Sequence, residues 1–93
     1  MNVPSFENHP GFLVKKDGDP CGYVSCRWRF RFPNGYGASV ITGSAIYADK
    51  GHPFELAVLH HDALSYSTPI TNDVLGYQTE ADILETLDRI AAL

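Results

Sequence analysis

The sequence has few of the features that mark a secreted, membrane-spanning or disulfide-bonded protein. Only two cysteines occur among 93 residues, Cys21 and Cys26. At that spacing a strand would point their side chains to opposite faces, so we expect two free thiols, with Cys26 as a small buried residue. No apolar run approaches the roughly 18 residues of a membrane span. Residues 1–11 (MNVPSFENHPG) lack the charged and apolar regions of a secretory signal, so we expect a cytoplasmic protein with no membrane association.

Basic charge is also scarce. Seven lysines and arginines against eleven acids give a net charge of −4, which argues against general affinity for nucleic acid. The charges are nevertheless segregated along the chain. Residues 21–48 carry three arginines and no acid, whereas residues 49–93 carry eight acids and two basic residues, a net of −6. A basic middle is therefore followed by an acidic end.

Motifs that carry chemistry are absent from the sequence. The glycine-rich NGYGAS lacks the Gly-Lys-Ser/Thr of a P-loop, and no serine lies in a G-x-S-x-G setting. His60 and His61 are adjacent, and adjacent residues on a strand point in opposite directions, which disfavours a shared metal ion. We therefore expect no catalytic residue, no metal and no cofactor, and a protein that is not an enzyme.

The stretch CRWRFRF gives the clearest structural pattern. Trp28 and Phe30 alternate with arginines through residues 24–32, which is typical of a strand with one buried and one exposed face. The exposed face would carry Arg27, Arg29 and Arg31. Pro33, Asn34 and Gly35 follow with turn chemistry.

Flanking segments predict the other strands. We expect strands near residues 11–16, 36–48 and 54–61, with a bulge near Gly37 or Gly43 because strict alternation fails there. His61 to Ala63 could close a tight hairpin into residues 64–70, and the segment TNDVLGYQ would be a connector.

The C-terminal segment predicts a helix over residues 79–92. Thr79 is a good N-cap, Asp82 can complete a capping box, and apolar residues recur at helical spacing. The apolar stripe consists of Ile83, Leu84, Leu87, Ile90 and Ala91. The predicted fold is a single α+β domain over residues 1–93, in which a meander of four to five antiparallel strands is covered on one face by this helix. Residues 1–10 would form a loose N-terminal arm.

Two surfaces are candidate binding sites. The first is the row of Arg27, Arg29 and Arg31, which we call the arginine face; its side chains could grip carboxylates or phosphates, or simply be solvated or paired with acids such as Glu55. The second combines the start of the acidic helix with the loop before it and consists of Asn72, Asp73 and Glu80. Those loop residues could instead only organise the loop, and the acidic helix could be a solvated face or an imitation of a phosphate row.

The motifs NGYGASVI, FELAVL and TPITNDVLGY, followed by a Thr-Glu helix start, make residues 34–93 resemble a family of small uncharacterised bacteriophage proteins. The resemblance implies a small accessory phage protein in the cytoplasm of the host bacterium, with no known chemistry to transfer. We expect a non-enzymatic binding module that contacts a host or phage protein, in its sharpest form an anti-defence inhibitor, for example of a CRISPR–Cas complex. The alternative is a nucleic-acid-binding accessory protein that uses the arginine face. A metal enzyme built on the histidines, a structural role in the virion and a homodimer stay open.

Overall fold

One antiparallel sheet and one helix make up the part of the chain that this computed structural model describes, residues 4–17, 26–43, 51, 53–65, 67–71 and 74–93. The elements are β1 (Phe12–Asp17), β2 (Cys26–Arg31), β3 (Tyr36–Thr42), β4 (Phe54–His60), β5 (Ala63–Leu64), β6 (Leu75–Gln78) and α1 (Glu80–Ala91). Strands β1 to β5 lie in sequence order, and β6 pairs with β4 on the same edge as β5. The α+β meander with a C-terminal helix on one face is therefore confirmed.

Strand β2 has the two faces that its alternation predicts. Trp28, Phe30 and Phe32 are buried on the helix side, where they join side chains of β3, β4 and α1 in one core. Cys26 is a free thiol that packs, partly buried, against the same core. The predicted extension of this strand to residue 24, and Cys21 itself, lie outside the described residues.

Strand β3 runs beside β2 without a bulge near Gly37; the other expected position, near Gly43, adjoins residues outside the described part of the chain. Pairing continues from Cys26 opposite Thr42 to Arg31 opposite Gly37 with no register shift. Gly37 instead permits close packing, since a Cβ there would lie 2.2 Å from the carbonyl oxygen of Phe30. The expected continuation of the strand beyond residue 43 falls on residues 44–48, outside the described part of the chain.

Two turns fix the sheet register. Between β2 and β3, Gly35 adopts a φ of 86°, and the Phe32 carbonyl accepts a hydrogen bond from its N–H at 3.1 Å. Between β4 and β5, His61 and Asp62 have φ values of 51° and 66°, the pattern of a two-residue type I′ turn. The predicted tight hairpin is thus confirmed, although β5 is only two residues long.

Short β5 leaves the first half of β4 without a partner on that edge, and β6 fills the gap. Gln78 pairs with Phe54, and Leu75 pairs with Leu56. The segment that we expected to be only a connector therefore contains a strand.

Helix α1 begins at the predicted cap. Asp82 N–H donates to the Thr79 hydroxyl at 3.2 Å, and Thr79 N–H donates to the Asp82 carboxylate at 2.9 Å. Ile83, Leu87 and Ile90 are fully buried against the sheet. Two details of the predicted stripe differ: Ala91 is exposed, although Ile90 beside it is buried, and Thr86 is buried.

The N-terminal segment departs most from the expected architecture. Instead of a loose arm, Ser5–Asn8 form a 3₁₀ helix, and the Phe6 side chain is fully buried. Its ring meets those of Trp28, Phe30 and Phe54 edge to face, at centroid distances of 5.2, 6.2 and 5.1 Å. Burial of one aromatic side chain holds a segment that has no periodic pattern.

Candidate functional site

The arginine face lies on the side of the sheet opposite α1, which we call the open face. The three arginines of β2 stand across from small or aliphatic residues of β3, and those in turn face β4. Residues that pair across β2, β3 and β4 form three rows on this face, namely Arg27–Ile41–Glu55, Arg29–Ser39–Ala57 and Arg31–Gly37–Leu59. Pleating thus separates the arginines from the aromatic residues with which they alternate.

A concavity of about 330 Å³, which we call the trough, lies beside these rows. Arg27, Arg29, Ser39 and Glu55 contribute polar groups to it. Its aliphatic lining consists of Ile41, Ala57, Leu59, Leu64 and Val74. The trough therefore offers two guanidinium groups beside an apolar surface, which can recognise a ligand that is both anionic and aliphatic.

One carboxylate of this chain already occupies part of the arginine face. The Arg31 Nη2 donates to Asp62 Oδ2 at 2.6 Å. The Arg29 Nη2 donates to the Asp62 backbone oxygen at 3.2 Å and lies 3.7 Å from Oδ1. The hydrogen bond from Arg31, together with the charges of both arginines, lowers the pKa of Asp62 below its ordinary value.

Two other donors on this face have no partner within the part of the chain that the structure describes. Arg27 is exposed, and within the described residues its guanidinium forms no ion pair. The Arg29 Nε–H is buried and finds no acceptor among the described atoms. Lys16 and Val14 of β1 border a second, smaller depression of about 80 Å³ with Arg27 and Arg29. Unpaired buried donors are uncommon in folded proteins, so the Arg29 Nε is a polar group that the described contacts leave unsatisfied.

Of the second candidate surface, the described residue Glu80 lies apart from the arginine face. Glu80 is the first residue of α1, on the covered side of the sheet, and its Oε1 accepts a hydrogen bond from the Ser5 N–H at 2.9 Å. Glu80 therefore anchors the N-terminal segment. Asn72 and Asp73 lie outside the described residues. The structure does not bring Glu80 and the arginine face together.

The two histidines are closer than a continuous strand would place them. His60 ends β4 but His61 lies in the turn, so their ring centroids are 4.1 Å apart. Tyr36 stacks on His60 at 4.3 Å. Even so, no group of three or more histidine, cysteine or acidic residues that could hold a metal ion occurs in the described part of the chain.

Sequence reasoning missed Asp62 as part of the arginine face. The strand register places Asp62 there: Arg31 opposes Gly37, Gly37 opposes Leu59, and the turn that contains Asp62 begins directly after His60. Counting residues across β2, β3 and β4 would therefore have placed this turn close to Arg31. Apolar residues occur on both faces of β4, and Ala57 and Leu59 on its open face could have predicted the aliphatic side of the trough.

The open face can bind an anion through bidentate guanidinium contacts and can bury aliphatic side chains beside it. Within the described residues, no helix is long and apolar enough to cross a membrane. No protein-family model matches the chain, and comparison with the curated proteins and with the solved structures likewise finds no match.

Proposed function

We propose that this protein is a non-enzymatic binding module that contacts a partner protein through the open face. The observation that carries the proposal is the exposed Arg27 guanidinium, which forms no ion pair within the described residues, beside an aliphatic trough. Arginine combined with apolar surface is typical of the centre of protein interfaces.

The geometry favours a protein over nucleic acid as the partner. Base stacking requires exposed aromatic rings, and the aromatic residues of β2 are buried in the core, at 3% exposure for Trp28 and 1% for Phe30. The described residues that line the trough include no aromatic ring. The net charge of −4 also opposes binding to a phosphate backbone.

The biological setting of the proposal comes from the phage-like motifs in residues 34–93. We propose that the partner is a host or phage protein in the bacterial cytoplasm, and that the contact inhibits a defence system. An inhibitor of this kind needs a stable contact surface and no reaction chemistry, which suits a small domain in which the described residues leave one face of the sheet uncovered.

Capture from phage-infected bacterial lysate tests the contact surface. Tagged wild-type protein and the triple variant Arg27→Glu, Arg29→Glu, Arg31→Glu are compared, and captured proteins are identified by mass spectrometry, purified and titrated. Arg27→Glu and Arg89→Glu form a matched pair, because both exposed arginines undergo the same charge change but Arg89 lies on α1. We expect the triple variant and Arg27→Glu to lose the partner, and Arg89→Glu to retain it. Equal capture of the partner by all variants would show that the open face is not the contact surface.

Two further measurements distinguish an anti-defence inhibitor from a nucleic-acid-binding protein. The plating efficiency of a defence-sensitive phage, on bacteria that carry the defence system and express this protein, tests the anti-defence role. A mobility shift across a salt series tests nucleic-acid binding, which should be strongest at low salt if it occurs. Retention of nucleic acid that depends on the arginine face would favour the alternative function.

A further inference from the structure

The arginine face already binds a carboxylate, and the chemistry of that contact indicates what else it can bind. Arg31 and Arg29 converge on Asp62 from neighbouring positions of the same face of β2. Asp62 is about half exposed, at 48% of its side-chain surface, so water and ligands can reach this contact. An exposed ion pair of this kind is weak and exchangeable.

We propose that the trough binds an extended segment of a partner protein that carries acidic side chains flanked by aliphatic ones, and that Asp62 competes with those acidic side chains for Arg29. The proposal rests on the proposed function and specifies the partner's chemistry. Asp62 is then an internal occupant of part of the binding face, which lowers affinity for acidic ligands without closing the trough.

The spacing of the arginines matches an extended ligand. Arg27 and Arg29 lie two residues apart on β2, a separation of about 6.6 Å along the strand. Side chains on one face of an extended peptide repeat at the same interval. Acidic residues at alternate positions can therefore meet Arg27 and Arg29 in turn, while aliphatic residues at the next positions of the same face reach the apolar side of the trough.

Discrete carboxylates suit this surface better than a row of phosphates. Glu55 lines the trough and stands in the same cross-strand row as Arg27, so this face also carries a negative charge. A continuous polyanion would pass close to that charge, whereas separate acidic side chains can be positioned away from it. The aliphatic lining also has no role in contacts to a phosphate backbone.

Asp62→Asn is the decisive variant, because asparagine keeps the shape of the side chain and readily adopts the positive φ of this turn. The substitution removes one negative charge beside Arg29 and Arg31. Asp88→Asn is the matched control on the opposite side of the molecule. It removes the same charge from an exposed position on α1, and its side-chain oxygen can still accept the hydrogen bond from His9.

The probes are two synthetic peptides, Leu-Ser-Glu-Ser-Glu-Ser-Leu and the same sequence with glutamine in place of glutamate, together with a short single-stranded DNA. Binding is followed by the arginine Nε–H resonances in NMR titrations at low salt. We expect the glutamate peptide to bind on the order of tenfold more tightly than the glutamine peptide. Asp62→Asn should tighten binding of the glutamate peptide by about two- to fivefold, and Asp88→Asn should leave it unchanged.

Several results would overturn the proposal. These are equal binding of the two peptides, no saturable shift with either, and an Asp62→Asn variant that binds no more tightly than wild type. Equal tightening by Asp88→Asn would mean that net charge alone is responsible. Tighter binding of the DNA than of the glutamate peptide would assign the arginine face to nucleic acid.

Failure of this proposal can be distinguished from failure of the proposed function. If lysate capture depends on Arg27 but the peptides do not bind, the open face contacts a protein of different chemistry, and only the acidic-segment proposal is wrong. If capture is insensitive to the arginine substitutions, the proposed function itself is wrong.

Discussion

Phe6→Ala tests whether the N-terminal segment is part of the core. The side chain has no exposed surface, and its ring contacts three other aromatic rings edge to face. Truncation of a buried phenylalanine to alanine costs about 3–5 kcal/mol, from lost apolar burial and from the cavity left behind. A loose arm would instead predict a loss of well under about 1 kcal/mol, as at ordinary surface positions.

The structure places the expected loss toward the upper half of that range. Each edge-to-face aromatic pair contributes roughly 0.5–1.5 kcal/mol beyond its buried area, and Phe6 forms three such pairs. If the segment detached altogether, the Glu7 carboxylate would also stop accepting the Trp28 indole N–H, now bonded at 3.0 Å. A loss of about 4 kcal/mol corresponds to a fall in Tm of roughly 15–30 °C for a domain of this size.

Trp28 is the single tryptophan of the chain and lies against Phe6, so its fluorescence reports directly on this contact. Urea unfolding followed by that signal gives the free energy of unfolding for wild type and variant. Leu13→Ala is the control, because Leu13 is also a hydrophobic residue near the N-terminus but is 49% exposed on β1. A loss below about 1 kcal/mol for Phe6→Ala, with unchanged Trp28 emission, would refute the assignment of this segment to the core.

Three further predictions concern single positions. Asn34→Ala should lower the free energy of unfolding by about 1–2 kcal/mol in urea titrations. The Asn34 amide donates to the carbonyls of Ile90, Ala91 and Leu93 at 3.0–3.3 Å, at the end of α1. An unchanged unfolding midpoint would contradict this capping role. Gly37→Ala should destabilise by more than about 2 kcal/mol, since the added Cβ meets the backbone at β2. The pKa of Asp62, followed by carboxyl NMR, should be lower in wild type than in Arg31→Gln, and equal values would contradict the ion pair. Because that pKa is lowered by folding, the small stabilisation from Asp62 is present at neutral pH and is lost as pH falls through the folded-state pKa, below about pH 4.

Local sequence patterns predicted individual strands, turns and the helix start correctly. Alternation identified β2 and its two faces, turn chemistry identified both hairpins, and the Thr79 cap identified the start of α1. These features depend on residues within a few positions of each other, so a single sequence contains the whole signal. The arginine face was predictable for the same reason.

Contacts between distant parts of the chain could not be predicted in this way. Phe6 is one aromatic residue in a segment with two flanking prolines and no period, so nothing nearby shows that it enters the core. Asn34 has the composition of an ordinary turn, yet it bonds to Ile90, 56 residues later. Strand β6 exists because β5 is too short to cover the edge of β4, which only the assembled sheet reveals.

The two faces of the sheet differ in how firmly they are fixed, and that difference supports a binding role for the open face. On the covered side, Ser5 bonds to Glu80, His9 to Asp88 and Asn34 to the end of α1, so the helix is held along its length. On the open face, the described ion pairs of the arginines all go to one exposed carboxylate in a turn. Folding is thus secured by contacts that do not involve the arginines, because pleating separates the two sets of side chains. Arginines that are not needed for the core can exchange their internal partner for an external one without loss of the fold.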